Sequence, residues 1–160
     1  MSNLVINNGS GYIKWGFDNE DFPSEKIPNI ISSDLYETYP RSSIVNGTIS
    51  DWEELVNIWD CSFNKKGIKC EEQKLLISLP LANFQKDKLY EILFEYFNFK
   101  SVYLADPNCL SLYGSGRRTG LIVDCGHHLT QINPVFEGYY LESLSKIINL
   151  GGQNLSLIHI

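Results

Sequence analysis

Two segments far apart in this chain repeat one pattern. Leu4-Val5-Ile6-Asn7-Asn8-Gly9 and Leu121-Ile122-Val123-Asp124-Cys125-Gly126 each run three apolar residues, a small acid or amide, a free position and a glycine. A strand-like stretch follows each, Tyr12–Phe17 in the first case and Leu129–Phe136 in the second. An apolar strand, a glycine turn and a further strand make a hairpin. One such hairpin is commonplace; two at a distance suggest a duplicated fold that clamps something between its turns. A glycine-rich turn leaves backbone N–H groups free to converge on an anion with no side chain in the way. Asn8-Gly9-Ser10-Gly11 has that character, with the Ser10 hydroxyl as a further donor and Lys14 as a nearby cation. A tight hairpin with no ligand is the alternative, and the first turn alone does not decide between them.

Between the repeats, Pro23 and Pro28 bracket a connection, Ile27–Ile31 reads as a third strand, and Ser33–Asn46, aperiodic and holding Pro40, reads as loop. Ser50 with Glu53 three residues on is a capping box. It predicts a helix from Asp51 to about Phe63 that buries Trp52, Leu55, Val56 and Trp59. Gln73–Leu79 reads as a strand ended by Pro80. Asn83 can cap a helix whose Leu89, Ile92, Leu93, Tyr96 and Phe97 share one face. Ser101–Ala105 is another strand, and Asp106-Pro107 an N-cap and N1 pair opening a short helix through Leu112. Gly120–Asp124, Leu129–Phe136 and Tyr139-Tyr140 make a second meander. This order predicts an α/β domain with a mixed sheet. Trp15, Trp52 and Trp59 are expected in packing.

Composition narrows the function classes. A chain of 160 residues, 43% hydrophobic and 12% aromatic, suits one folded domain. A net charge of −6 argues against nucleic acid or an anionic membrane as partner. Lys65-Lys66 is too short for a basic patch. Met1–Lys14 has no basic flank before an apolar run, unlike a secretory signal. No apolar stretch nears the roughly 20 residues that span a bilayer. Cys61, Cys70, Cys109 and Cys125 lie far apart without C-x-x-C spacing, so reduced thiols in the cytosol or nucleus are expected.

Asn7-Asn8-Gly9-Ser10-Gly11-Tyr12-Ile13-Lys14-Trp15-Gly16-Phe17 resembles the first phosphate loop of actin and the actin-related proteins. Ile58-Trp59, Leu93-Phe94-Glu95-Tyr96-Phe97-Asn98 and Leu110-Ser111-Leu112-Tyr113-Gly114-Ser115-Gly116-Arg117 fall in that family's order. Asp124-Cys125-Gly126-His127-His128-Leu129-Thr130 resembles its second phosphate loop, and Pro134-Val135-Phe136-Glu137-Gly138-Tyr139 follows at the expected distance. The resemblance runs from about Leu4 to Asn154. It implies part of an actin-like ATPase domain, a ribonuclease-H-like α/β fold with a mixed sheet and flanking helices. Residues 1–115 would form the first lobe, 116–154 the opening strands of the second, and 155–160 a tail that departs from the family. The resemblance further implies ATP or ADP with Mg²⁺ between the lobes. The contacts carry over to Asn8, Gly9, Ser10, Gly11, Lys14, Asp124, Gly126 and Thr130.

In the family, carboxylates at both turns hold Mg²⁺ mainly through water, while a glutamine opening the Asp106 helix and a histidine in the second hairpin sit near the attacking water. Here the chain departs. Asn7 and His127 occupy two of three acidic positions. Asn brings no charge, and His suits a hard, oxygen-seeking ion poorly. Asp124 alone survives, as a weak metal site acting through water. Pro107 takes the glutamine's place and has no polar group to orient water; Gln131 replaces the histidine. His128 replaces a glycine, so a side chain is expected where backbone would approach phosphate. Cys125, His127 and His128 lack the spacing and the fourth partner of a transition-metal site, and a structural or solvent-facing role is expected.

The family's second subdomain is reduced here to a linker near 32–40, so the usual longitudinal contact is missing and a conventional filament is not expected. Family members run more than twice this length, which reads as truncation. The expected function is a divergent actin-related cytoskeletal or scaffold protein with a degenerate ATP site. Its expected partners are proteins of cytoskeletal or nuclear complexes, with neither nucleic acid nor membrane, and its expected location is the cytoplasm, with the nucleus as alternative. Two other readings stay open: an active ATPase of the wider actin, chaperone and sugar-kinase superfamily, and a truncated fragment without function.

Overall fold

Three antiparallel strands open the chain, β1 (Leu4–Asn8), β2 (Tyr12–Phe17) and β3 (Glu25–Pro28). A hairpin of β4 (Ile44–Val45) and β5 (Thr48–Ile49) leads into helix α1 (Trp52–Lys66). Strands β6 (Lys74–Ser78) and β7 (Ser101–Ala105) flank helix α2 (Lys86–Glu91), which continues as a π-turn over Ile92–Tyr96. In the computed structural model, which describes residues 2–30, 42–79 and 85–157, these strands make a mixed sheet of order β3-β2-β1-β6-β7. β6 runs parallel to both β1 and β7. The Asn83 cap and the linker near 32–40 lie outside the described residues.

Alternation on β1 sends Leu4, Ile6 and Asn8 into the core and leaves Val5 and Asn7 on the other face. Leu55, Trp59 and Phe63 of α1 and Leu89, Leu93 and Phe97 along the second helix cover that inner face. Burying a side chain of this size contributes about 1.5–3 kcal/mol. Phe63 sits at the centre, edge-on to Trp15 (5.9 Å), Phe97 (5.7 Å) and Phe99 (6.4 Å), the arrangement that ring quadrupoles favour. Burial pushes the Cys70 thiol in this core up to about 11.

Three local expectations are corrected. Asp51, not Ser50, caps α1: its Oδ1 accepts from Glu54 N–H at 3.0 Å. The Ser50 hydroxyl is already committed to the Ser42 and Ser43 carbonyls. Tyr96 is 58% exposed, because the π-turn adds a residue to the turn and rotates it off the buried face. Ser33–Asn46 is not all loop. Ile44–Val45 is a strand, and Asn46 (φ 50°) and Gly47 (φ 76°) make the left-handed turn that an Asn-Gly pair favours.

The second half is smaller. Helix α3 (Pro107–Gly114) opens as expected, Asp106 Oδ1 accepting from the amides of Asn108 (2.8 Å) and Cys109 (3.0 Å). It packs on a sheet of β8 (Gly120–Cys125), β9 (Thr130–Phe136), β10 (Tyr139–Tyr140) and β11 (Lys146–Ile148). β9 is central, with β8 along one edge and β10 and β11 along the other. Helix α4 (Gly152–Leu157) closes the described chain, so Leu155 to Leu157, expected to depart from the family pattern, continue a helix. No described helix is long and apolar enough to cross a membrane.

Candidate functional site

The two glycine turns close in the same way. Gly9 N–H donates to the Tyr12 carbonyl (3.0 Å), and Gly126 N–H to that of Leu129 (2.8 Å). The flanking pairs, Asn8 with Ile13 and Cys125 with Thr130, match position for position. In each copy the chain beyond the third strand turns back and holds the loop by its carbonyls. Asn29 donates to Gly11 O from its backbone and to Gly9 O from Nδ2, both at 3.0 Å, and Ser42 Oγ donates to Ser10 O at 2.6 Å. In the second copy the Gly152 and Gln153 amides of α4 donate to the Gly126 and His127 carbonyls, both at 2.9 Å. With its carbonyls engaged from behind, the first loop presents the Ser10 and Gly11 amides, which have no acceptor among the described residues. Amides so presented form an anion-binding concavity.

The turns face one another. A Cβ on Gly11 would lie 2.9 Å from His127 Cγ, so glycine is what lets the loops come this close. Between them lies a cleft of about 350 Å³. Of the residues the sequence singled out, Gly9, Ser10, Gly11, Lys14, Asp124 and Gly126 line it, as do Asn7, His127 and Gln131. Asn8 and Thr130 do not. Asn8 is buried in the core, where Oδ1 accepts from Trp59 Nε1 (2.9 Å) and Nδ2 donates to Ser78 O (3.4 Å). Thr130 Oγ1 donates to Leu150 O at 2.7 Å. Both tie their loops to the scaffold. Pro107 also stands outside the lining, as the first residue of α3.

His128 corrects an expectation. It does not line the cleft and is half-buried, with the Gln153 side chain and the Ile44 backbone near it. Burial pushes its imidazole below the ordinary value, and neighbouring His127 adds to the shift, while the polar groups of Gln153 and Ile44 oppose it. Its Nδ1 is buried without a partner among the described residues. Gln131, in contrast, is held at the cleft by a buried relay. Its Oε1 accepts from Asn133 Nδ2 (3.2 Å), which also donates to Asn108 Oδ1 on α3 (2.7 Å).

Four lining residues were missed by sequence reasoning: Tyr12, Lys26, Gly47 and Leu129. Lys26 stands directly across from Lys14 in the β2–β3 register, its Nζ 3.9 Å from the Tyr12 ring centroid. Only that register brings it to the cleft, and composition carries no sign of it. Gly47 had a signal, since Asn46-Gly47 is the same turn dipeptide as Asn8-Gly9.

The lining is a weak donor set for Mg²⁺. At a nucleotide site that ion keeps several waters and is bound through one or two carboxylates plus the substrate's phosphates; here Asp124 is the single carboxylate among the lining residues, in company with two lysines and His127. Among the described residues, no three His, Cys, Asp or Glu side chains gather where they could hold a metal.

Comparison with known proteins places the chain in a family. A family model described as Actin matches residues 37–158. Actin-related protein 2 of Arabidopsis thaliana is 29% identical over 181 residues, covering 96% of this chain and 46% of its own length. The proteins of that name from Caenorhabditis briggsae (27%) and Acanthamoeba castellanii (28%) match 96% of this chain and 46% and 47% of their own. The chain spans about half the length of the curated relatives it matches. The family match runs from before the β4–β5 hairpin through the second turn to α4, most of the chain's length, and so the chain belongs to the actin family.

Proposed function

We propose that this chain is a structural or scaffold member of the actin family whose cleft holds a nucleotide's phosphates without hydrolysing them. The observation that carries this is the charge of the cleft, a lone Asp124 beside Lys14 and Lys26. Hydrolysis needs a stabilised phosphoryl group and an oriented water. Pro107 has no polar side chain to orient one, and Gln131 is engaged with Asn133. Membership of the family supports ATP or ADP as the ligand. The Ser10 and Gly11 amides, which have no acceptor among the described residues, together with Lys14 and the Gly126 turn, support the phosphates as the part gripped.

Loss of the ordinary filament contact follows from the short linker near 32–40. The alignment with the Arabidopsis thaliana relative runs over 181 positions, more than the 160 residues of this chain, which supports a segment missing somewhere within it. The partners on this proposal are proteins of a cytoskeletal or nuclear complex, reached in the cytoplasm first. Purified chain with Mg-ATP is expected to release phosphate no faster than a buffer blank, and to stay in the supernatant when sedimented under polymerising conditions. Clear turnover would restore the active-ATPase reading; a pellet of filaments would remove the linker argument.

A further inference from the structure

The cleft sets two lysines against a single carboxylate among its lining residues. Lys26, on the edge strand β3, lines the cleft beside Lys14, its register partner on β2, and among the described residues neither lysine is in an ion pair. Lys14 also borders a second hollow that carries Asp18, Glu20 and Asp21, so its charge is shared between two neighbourhoods. Lys26 does not line that hollow. Its ammonium lies over the Tyr12 ring, a contact that steers the chain of methylenes while leaving donors free. Beside Lys14 on the same wall, Asn7 carries no charge, and across the cleft Asp124 is the one carboxylate, in company with His127.

We propose, building on the nucleotide reading above, that the cleft binds a phosphate chain without a divalent metal, Lys26 supplying the positive charge that Mg²⁺ would otherwise bring. A phosphate chain free of metal carries its full negative charge. Two lysines and the Ser10 and Gly11 amides meet that charge directly, whereas Mg²⁺ would compete with the lysines for the same oxygens and find one carboxylate to hold it. The shared chemistry is the phosphate chain, whether on a nucleotide or alone.

The test is calorimetric titration of the chain with ATP and with sodium tripolyphosphate, each in Mg²⁺ and in EDTA. Both ligands are expected to bind in EDTA at least as tightly as in Mg²⁺. Lys26→Ala should weaken binding in EDTA about tenfold, the size of one charge interaction in a partly exposed site. Lys26→Arg should retain it. Lys26 is exposed, and an unchanged melting temperature for both variants would show that folding is not the cause. Binding that requires Mg²⁺, or Lys26→Ala binding like the parent, overturns the inference and leaves the nucleotide site standing. ATP bound in EDTA without tripolyphosphate does the same, since base and ribose would then carry the affinity. Neither ligand bound in any condition sinks the nucleotide reading itself.

Discussion

β1 and β8 begin from nearly the same six-residue pattern and end in opposite circumstances. Leu4 and Ile6 on β1 are fully buried, whereas their counterparts Leu121 and Val123 on β8 are 65% and 59% exposed. Each strand leads into a turn closed by the same hydrogen bond, and each lies antiparallel to the strand after it. The difference lies in what comes next. After the first meander the chain crosses over through α1 and lays β6 parallel to the free edge of β1, so the strand is paired on both sides and roofed by Trp59 and Phe63. Among the described residues β8 pairs with β9 alone, and the apolar cluster beneath its sheet is Cys109, Leu112 and Val135 with Ile122 and Tyr140 at the margin. A hairpin can be written locally, but a core needs the crossover.

Paired substitutions put that difference to work. Ile6→Ala is expected to cost about 2–5 kcal/mol, the range for opening a cavity in a packed core, while Val123→Ala at the matching position should stay within about 0.5 kcal/mol. Urea denaturation of both variants measures the gap; equal losses would show β8 to be as well covered as β1. A smaller contrast is expected one turn onward. Asn8→Ala leaves Trp59 Nε1 buried without its acceptor, at a cost of about 1–3 kcal/mol. Cys125, which stands at the matching place, is exposed, so Cys125→Ala should leave the unfolding midpoint unmoved.

The smallest effect concerns pH, and it belongs to the second turn alone. His128 replaces a position that is Gly11 in the first copy. Its folded imidazole is pushed below the ordinary 6.5, so between the two values the unfolded chain binds more protons than the folded one. Stability therefore falls as pH drops through 6.5, and the loss levels off beneath the folded value. The titratable group facing it is His127, whose ring centroid is 4.7 Å away. Melting curves at about pH 7.5 and about pH 5.5 should show a narrower gap for His128→Asn than for the parent. An unchanged gap would mean that His128 is solvated like a free imidazole.

How much of this could be read from the chain follows from the reach of each interaction. Both hairpins, the Asp106-Pro107 helix start and the buried stripe of Leu55 and Trp59 were legible, because turns, caps and helical faces are set by residues within a few positions of one another. The Asn46-Gly47 hairpin was equally local and was obscured only by the aperiodic run before it. Between Ser50 and Asp51 the choice of cap was not local, since the Ser50 hydroxyl is drawn off by the carbonyls of Ser42 and Ser43.

What the sequence determined by itself was the family pattern and the chemistry of the substituted positions: Asn7 and His127 carry no carboxylate and Pro107 offers no donor in any fold. Tertiary structure alone decided which of the singled-out side chains share the cleft. It turned Asn8 inward onto Trp59, drew His128 toward Ile44 and Gln153, and placed Lys26 across from Lys14. The physical reason is that strand register and the packing of one hairpin against another depend on partners tens of residues away, beyond the reach of any local pattern.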